Sequence, residues 1–337
     1  MRFDVLGIGN AIVDIVATTS ETFLDQHALA KGSMRLVDDA TSERLTRAIG
    51  RGAQGSGGSA ANTIAGLASL GGRGAFIGKT GDDALGRVFR DEIRKLGVHF
   101  ATEPLRDGTA TARCLVLVTP DAQRTMATFL GASSVLAPAD IDEPTVAAAA
   151  ITYLEGYLFD PPLAMAAFRR AVELAHGAKR HVALTLSDPF CVERHRAEFL
   201  ALIEMGIDVL FANEAEVASL LGTTDLAAIR DRLAQHCAIT VVTRSERGSA
   251  ILTASEAIEV AARLVGPVVD TTGAGDLYAA GFLYGLSKSM PLAQCGALGS
   301  LCAGEAISHL GARPRTSLAA LAAEHGLRPS PSAPGVA

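Results

Sequence analysis

Apolar positions along this chain change their period repeatedly, and each change marks the boundary of an expected strand or helix. Phe3-Asp4-Val5-Leu6-Gly7-Ile8-Gly9 and Ile12-Val13-Asp14-Ile15-Val16 are rich in β-branched residues and broken by glycine, which predicts a central strand and a second strand continuing from it. From Ser59 to Leu70 small and apolar residues fall at helical spacing, entered through Gly55-Ser56-Gly57-Gly58 and stopped by Gly71-Gly72. Ala75-Phe76-Ile77-Gly78 then reads as a strand and Leu85 to Leu96 as an amphipathic helix ending at Gly97. This βαβ rhythm implies a parallel sheet.

Between Thr109 and Phe129 the texture differs. Thr111 to Val118 and Arg124 to Phe129 flank Thr119-Pro120-Asp121-Ala122-Gln123, which predicts an antiparallel hairpin. The α/β rhythm then returns with strands at Ile151 to Glu155, Val182 to Leu186, Val209 to Ala212 and Ile239 to Thr243. Helices are expected at Leu163 to His176, Ala227 to His236, Gly275 to Ser287 and Leu292 to Leu310, with a late antiparallel pair at Ser249 to Leu252 and Ile258 to Val260. The tail from Arg328 to Ala337 holds three prolines and two serines without a period and is expected to be disordered.

Composition narrows the class of protein. A chain of 337 residues, 49% hydrophobic and 20% charged, has room for a large core with an appended lobe and fits a globular enzyme. The net charge of −6, with no basic run, argues against nucleic acid or an anionic membrane as main partner. Five widely spaced cysteines without a Cys-x-x-Cys pair point to reduced thiols and a cytoplasmic location. No apolar window is long enough to predict a membrane span, and the N-terminus has no signal-peptide pattern.

Three stretches imitate nucleotide sites. Gly78-Lys79-Thr80 lacks the P-loop glycine five positions earlier, where Arg73 stands, and Gly7-Ile8-Gly9-Asn10-Ala11-Ile12 carries Ile12 at the third glycine of a dinucleotide fingerprint. A dehydrogenase is therefore disfavoured. Asp270-Thr271-Thr272-Gly273-Ala274-Gly275-Asp276 opens a helix through small residues, which aims free N–H groups into one space suited to an anion. Asp276 beside it is either a helix N-terminal acid or a proton acceptor.

Gly57-Gly58-Ser59-Ala60-Ala61-Asn62, Asn213-Glu214-Ala215-Glu216 and Asp270 to Asp276, in that order, resemble the PfkB family of sugar and nucleoside kinases, also called the ribokinase family. The resemblance runs from Asp14 to about Pro314. Thr185-Leu186-Ser187-Asp188-Pro189-Phe190 and the stretch Ile307 to Pro314 look most like the adenosine kinase branch. It implies a ribokinase-like three-layer α/β/α fold with a mostly parallel central sheet and a small β-sheet lid. The main domain would comprise residues 1–14, 51–99 and 133–327, and the lid residues 15–50 and 100–132, with Phe23, Leu36, Val116 and Leu117 as lid walls.

By the same resemblance Asp276 is the catalytic base, and Gly273, Ala274 and Gly275 offer amides to the transferring phosphoryl group. Asp14, Gly58, Ser59 and Asn62 would hold the acceptor, as would Glu155, at a position where ribokinase-like members place a substrate-side acid and adenosine kinases are more apolar. Asn213 and Glu216 match a motif that organises Mg²⁺ largely through water; read alone they are an asparagine turn and a solvated helix acid. Asp14 read alone marks an exposed bend. Thr243 and Gly248 match a nucleotide-binding Thr-x-Gly-x-x-Gly in which Ser245 replaces the first glycine, and Arg244 is read as solvated. The implied reaction is ATP- and Mg²⁺-dependent phosphorylation of a primary hydroxyl, most readily the 5′-hydroxyl of adenosine. A free sugar such as ribose or fructose is the alternative acceptor, and a non-catalytic nucleotide or sugar sensor the alternative class. The small-molecule substrate would be the main partner, while a K⁺ requirement and a monomeric or homodimeric state stay open.

Overall fold

The computed structural model describes residues 3–121, 123–160 and 162–329. In chain order its strands are β1 (Phe3–Ile8), β2 (Ile12–Thr18), β3 (Met34–Leu36), β4 (Ala53–Gly57), β5 (Gly74–Ile77), β6 (Ala112–Val118), β7 (Arg124–Phe129), β8 (Ala149–Glu155), β9 (His181–Thr185), β10 (Val209–Asn213), β11 (Ile239–Thr243), β12 (Ser249–Leu252) and β13 (Ala257–Val260). They sort into an eight-stranded sheet of order β13-β12-β11-β10-β9-β8-β1-β5 and a five-stranded sheet of order β3-β7-β6-β2-β4. In the large sheet β5 through β11 run parallel, and only β12 and β13 are antiparallel to their neighbours.

Both faces of the large sheet are covered, which is why its strands read as continuous apolar runs. Leu210 and Ala212 of β10 pack among helices Pro162–Gly177, Arg196–Glu204 and Glu214–Leu221. Val209 and Phe211 of the same strand face Ser59–Ser69, Ala274–Ser287 and Leu292–Ala306. The result is the expected three-layer α/β/α arrangement.

The small sheet is covered on one face only. Leu115, Leu117 and Ala127 pack there with Leu24, Leu29 and Leu45, the first and last of these from helices Glu21–Gln26 and Asp39–Ile49. Register places Asp14, Cys114, Thr128 and Leu36 in one row of the opposite face, and Val16, Val116, Met126 and Met34 in the next. Leu36 and Val116 thus line the open face as expected, whereas Phe23 and Leu117 belong to the small core behind the sheet.

Two expectations are corrected. Ala53–Gly57, assigned from sequence to the main body as a helix entrance, is strand β4 of the small sheet, paired with β2. Its glycines give no β signal; the strand exists because β2 offers it a partner edge. The helix expected to reach Leu310 stops at Ala306, because the Ile307 carbonyl accepts from the amides of Val269 and Asp270 (2.8 and 3.2 Å) and the chain turns at Gly311. The tail expected to be disordered lies, from residue 330 on, outside the described residues.

Candidate active site

The candidate residues gather at the carboxyl ends of the parallel strands, where open α/β sheets bind their ligands. β8 ends at Glu155, and β10 and β11 end at the register partners Asn213 and Thr243. Two helices begin against this edge, Ser59–Ser69 and Ala274–Ser287.

The second helix opens at Gly273, which is left-handed (φ 80°). A Cβ there would lie 2.6 Å from the Ala312 Cβ and 2.7 Å from its Cα, so only glycine fits the turn. Among the described residues the N–H groups of Gly273, Gly275 and Asp276 meet no acceptor, while that of Ala274 reaches the Thr271 carbonyl at 3.2 Å. Nothing lies within 4 Å of a Cβ built on Gly275. Unmatched donors around open space at a positive helix end fit the terminal phosphates of a nucleotide.

Asp276 is held from the other helix. Ser59 Oγ donates to its Oδ1 at 2.6 Å and Asn62 Nδ2 to its Oδ2 at 2.9 Å. Burial raises its pKa above the ordinary carboxylate range, against the lowering effect of these two bonds and of the Arg313 charge. The Asn62 Oδ1 is buried without a partner, an acceptor available to a hydroxyl entering here.

Asp14 stands on the open face of the small sheet, packed against Gly57, where a Cβ would come within 2.3 Å of its Oδ2. It is half-buried rather than on an exposed bend. Burial carries its pKa up to about 6; Arg313 opposes this, Asp276 adds to it, and Arg124 opposes it. Gly58, at φ 96°, starts the Ser59–Ser69 helix with its α-carbon so close to the Asn10 carbonyl that a Cβ would sit at 2.3 Å.

Glu155 is buried at the entrance of the Ser59–Ser69 helix. It is 1% exposed, and its two oxygens accept from Asn10 Nδ2 at 2.7 Å and the Ala60 N–H at 2.8 Å. Burial raises its pKa to about 7 despite these bonds. In this conformation both of its oxygens are engaged by groups that brace the helix entrance.

Asn213 and Glu216 form a reciprocal capping box: Asn213 Oδ1 accepts from the Glu216 N–H (2.8 Å), and the Glu216 oxygens accept from the Asn213 N–H (2.9 Å) and Nδ2 (2.6 Å). Glu216 is not solvated but 6% exposed, with a pKa pushed up to about 7 by burial. Gly248 (φ 79°) closes the turn between β11 and β12. Ser245, in place of the pattern's first glycine, is held at φ 52°. Arg244 is not solvated, its side chain being 10% exposed and paired with Glu259 at 3.2 Å.

Sequence reasoning missed two arginines. Arg124, the first residue of β7, pairs with Asp270 and donates from Nη1 to Thr272 Oγ1 at 2.5 Å, joining the small sheet to the glycine turn. Arg313 donates to the Ser56 and Ala61 carbonyls (2.7 and 3.0 Å) behind Asp14 and Asp276. Neither has a local signal, because each acts across more than 140 residues of chain.

Residues 28–318 match the family described as pfkB family carbohydrate kinase. The structure is similar to that of a probable sugar kinase from Rhizobium etli, with TM-score 0.90, 46% identity, and 97% of this chain and 99% of that one covered. It is equally similar to an adenosine kinase from Sinorhizobium meliloti, with TM-score 0.89, 47% identity, and 96% and 100% covered. Adenosine kinase of Saccharomyces cerevisiae is 26% identical over 92% of this chain and 96% of its own length. No helix among the described residues is long and apolar enough to cross a membrane. The chain belongs to the pfkB carbohydrate kinase family and is a phosphotransferase, a nucleoside or sugar kinase.

Proposed function

We propose that this chain transfers the γ-phosphoryl group of ATP to the 5′-hydroxyl of adenosine, with Asp276 as base. The observation that carries the reading is the placement of Asp276: both carboxylate oxygens are fixed by the acceptor-side residues Ser59 and Asn62, and the unmatched amides of the glycine turn stand beside them. A carboxylate so held, with its pKa raised by burial, is oriented to take the proton of an entering hydroxyl. ATP with Mg²⁺ supplies the electrophilic phosphorus and neutralises part of its charge.

The amides of Gly273 and Gly275 receive the phosphoryl oxygens, as an oxyanion hole does. Ala274 joins them once its bond to Thr271 opens. Asp14 holds ribose hydroxyls by charge-assisted bonds, with Gly58 leaving room for the sugar. Glu216 and Asn213, held by each other in the capping box, would bind the Mg²⁺ of ATP through its waters, since this ion keeps most of them and asks for few direct carboxylates. Thr243 and the Gly248 turn lie on the nucleotide side of the sheet edge. The exposed Leu264, Val265, Val268 and Val269 just before the glycine turn offer apolar contact to the base of ATP.

Adenosine is favoured over a free sugar by the open face of the small sheet. Val16, Met34 and Leu36 are 40%, 44% and 45% exposed there, beside Asp14. A purine can cover such a wall, whereas a sugar would leave it wet. Movement of this sheet as a lid would exclude water, the competing acceptor.

The test is an ATP-consumption assay with Mg²⁺, run in K⁺ and in Na⁺, against adenosine, other nucleosides, ribose and fructose, with the product position read by NMR. Phosphorylation of adenosine at the 5′ oxygen with the highest kcat/KM is expected. Turnover of fructose or ribose without adenosine moves the reading to a sugar kinase, and an inactive panel moves it to a sensor.

A further inference from the structure

Arg313 lies in the loop that follows the shortened Leu292–Ala306 helix. Its Nη2 donates to the Ser56 carbonyl at 2.7 Å and to Ser56 Oγ at 3.1 Å, its Nε to the same carbonyl at 3.1 Å, and its Nη1 to the Ala61 carbonyl at 3.0 Å. The fork therefore spans the segment that contains Gly57, Gly58 and Ser59, from the end of β4 to the first turn of the acceptor-side helix. Ser56 is gripped from the other side as well, where its N–H donates to Glu92 Oε2 at 2.5 Å. The two residues before Arg313 serve the opposite half of the site. The Gly311 N–H donates to Asp270 Oδ2 at 2.8 Å, and Ala312 is the surface on which Gly273 turns.

The acceptors of the Arg313 fork are neutral, and among the described residues no carboxylate forms a direct ion pair with it. Its charge is left to act on Asp14, Asp276 and Glu92, each of which favours the charged guanidinium. We infer that Arg313 is a positioning residue that fixes the acceptor-side entrance with its fork, sets its positive charge behind Asp14 and Asp276, and ties both to the glycine turn through its own loop. The inference rests on the phosphotransfer reading above.

Other charges bear on the same two acids. Asp14 is faced by Arg124 of β7, Cys114 of β6 and Asp276; Asp276 is in turn felt by Glu155 and Tyr153 of β8, by Tyr157 beyond it, and by Glu216. Arg313 and Arg124 are the cations of the group, and Arg124 has Asp270 as its direct partner. Removal of Arg313 therefore leaves the two acids with the weaker compensation.

The experiment compares wild type, Arg313→Lys and Arg313→Gln in two ways. One is kcat/KM against pH with whichever acceptor the panel identifies. The other is a ¹³C-carboxyl titration of Asp276, assigned by its loss in Asp276→Asn. Lysine keeps the charge but cannot fork, so its acid limb should stay in place while acceptor KM rises severalfold. Glutamine should move the acid limb and the Asp276 titration up by about one unit, or about tenfold in kcat/KM along that limb. An unmoved limb and an unmoved titration in Arg313→Gln overturn the electrostatic role, and a wild-type KM in Arg313→Lys overturns the fork. If Arg313→Gln does not fold, the lysine variant still decides the fork, and a displaced titration in it would count against the charge argument. A wild type inactive on every acceptor overturns the kinase reading, while the carboxyl titration still decides the role of Arg313.

Discussion

Replacement of Asp276 by asparagine tests the reading most directly, because the structure fixes what the substitution can change. The carboxylate takes one bond from Ser59 Oγ (2.6 Å) and one from Asn62 Nδ2 (2.9 Å). An asparagine must keep its oxygen toward Asn62, since amide against amide would set donor against donor. Its NH₂ then faces Ser59, whose hydroxyl can rotate to accept. Two charge-assisted bonds of about 1.5–3 kcal/mol each become neutral ones, but the cost of burying a carboxylate, which raises its pKa, is relieved at the same time. These effects oppose each other, so stability should change by no more than about 1 kcal/mol. Proton acceptance has no such compensation. Glu155 has both oxygens engaged by Asn10 and Ala60, and on the proposed reading Asp14 is occupied by the sugar. Loss of a general base lowers turnover about 10²–10⁴-fold, or about 3–5 kcal/mol in the barrier. Single-turnover kinetics, ATP binding by calorimetry and a thermal melt should show a folded protein that binds ATP and hardly turns over. A kcat within threefold of wild type in a variant that melts normally would refute the assignment of the base.

Gly273→Ala should cost about 1–3 kcal/mol in denaturant unfolding, because a left-handed alanine would also press on Ala312, and kcat should fall about 10²–10³-fold as the amides move; a wild-type rate would remove the turn from the chemistry. Arg124→Met leaves Asp270 a buried carboxylate without its cation, so a loss of about 3–5 kcal/mol and a lower kcat are expected, with partial rescue by lysine; an unchanged melt would show that the pair is not formed in solution. Leu36→Ser together with Val16→Thr should raise KM for adenosine severalfold and leave any turnover of a free sugar unchanged; equal effects on both acceptors would remove the base from this face. Glu155 sets a pH dependence whose sign follows from its raised pKa. The folded state holds the proton up to about pH 7 and the unfolded state only to about 4.5, so between these values the native protein binds more protons and stability falls as pH rises. The fall from this group is about 3 kcal/mol, fully absent below pH 4. Glu155→Gln should flatten the melting temperature across that window, and an undiminished slope would assign the fall to other acids.

The sequence announces the large sheet well because its chemistry is local. Strands covered on both faces must be apolar throughout, so β8, β10 and β11 are readable to within two residues at each end. The small sheet is legible in β2 and in its hairpin, but not in β3 and β4. β4 is Ala-Gln-Gly-Ser-Gly, a sequence of low strand propensity whose Gly57 leaves room for the close approach of Asp14. The site divides along the same line. Asp270 to Asp276 carries its signal in seven contiguous residues and the capping box Asn213 to Glu216 in four, the latter also marking the stop of a strand. Arg124, Arg313 and the early end of the Leu292–Ala306 helix have no local signal, because each answers to a partner brought close by the fold: Asp270, Ser56 and the Val269 amide.

These non-local contacts decide how the two halves of the site are coupled. Ser59 and Asn62, expected at the acceptor, are the residues that hold Asp276, so on the proposed reading the acceptor helix and the base cannot move independently. The entrance of that helix follows directly on β4, a strand of the small sheet, which places any displacement of that sheet two residues away from Ser59, the first of the groups that hold Asp276. Arg124 makes a second link from the same sheet to Asp270 and Thr272 at the glycine turn. A movement that seats the apolar face on a base therefore pulls on the base-orienting helix and on the anion-binding turn together. Catalytic alignment is then a consequence of acceptor binding, and a poorly fitting acceptor should lose kcat as well as affinity.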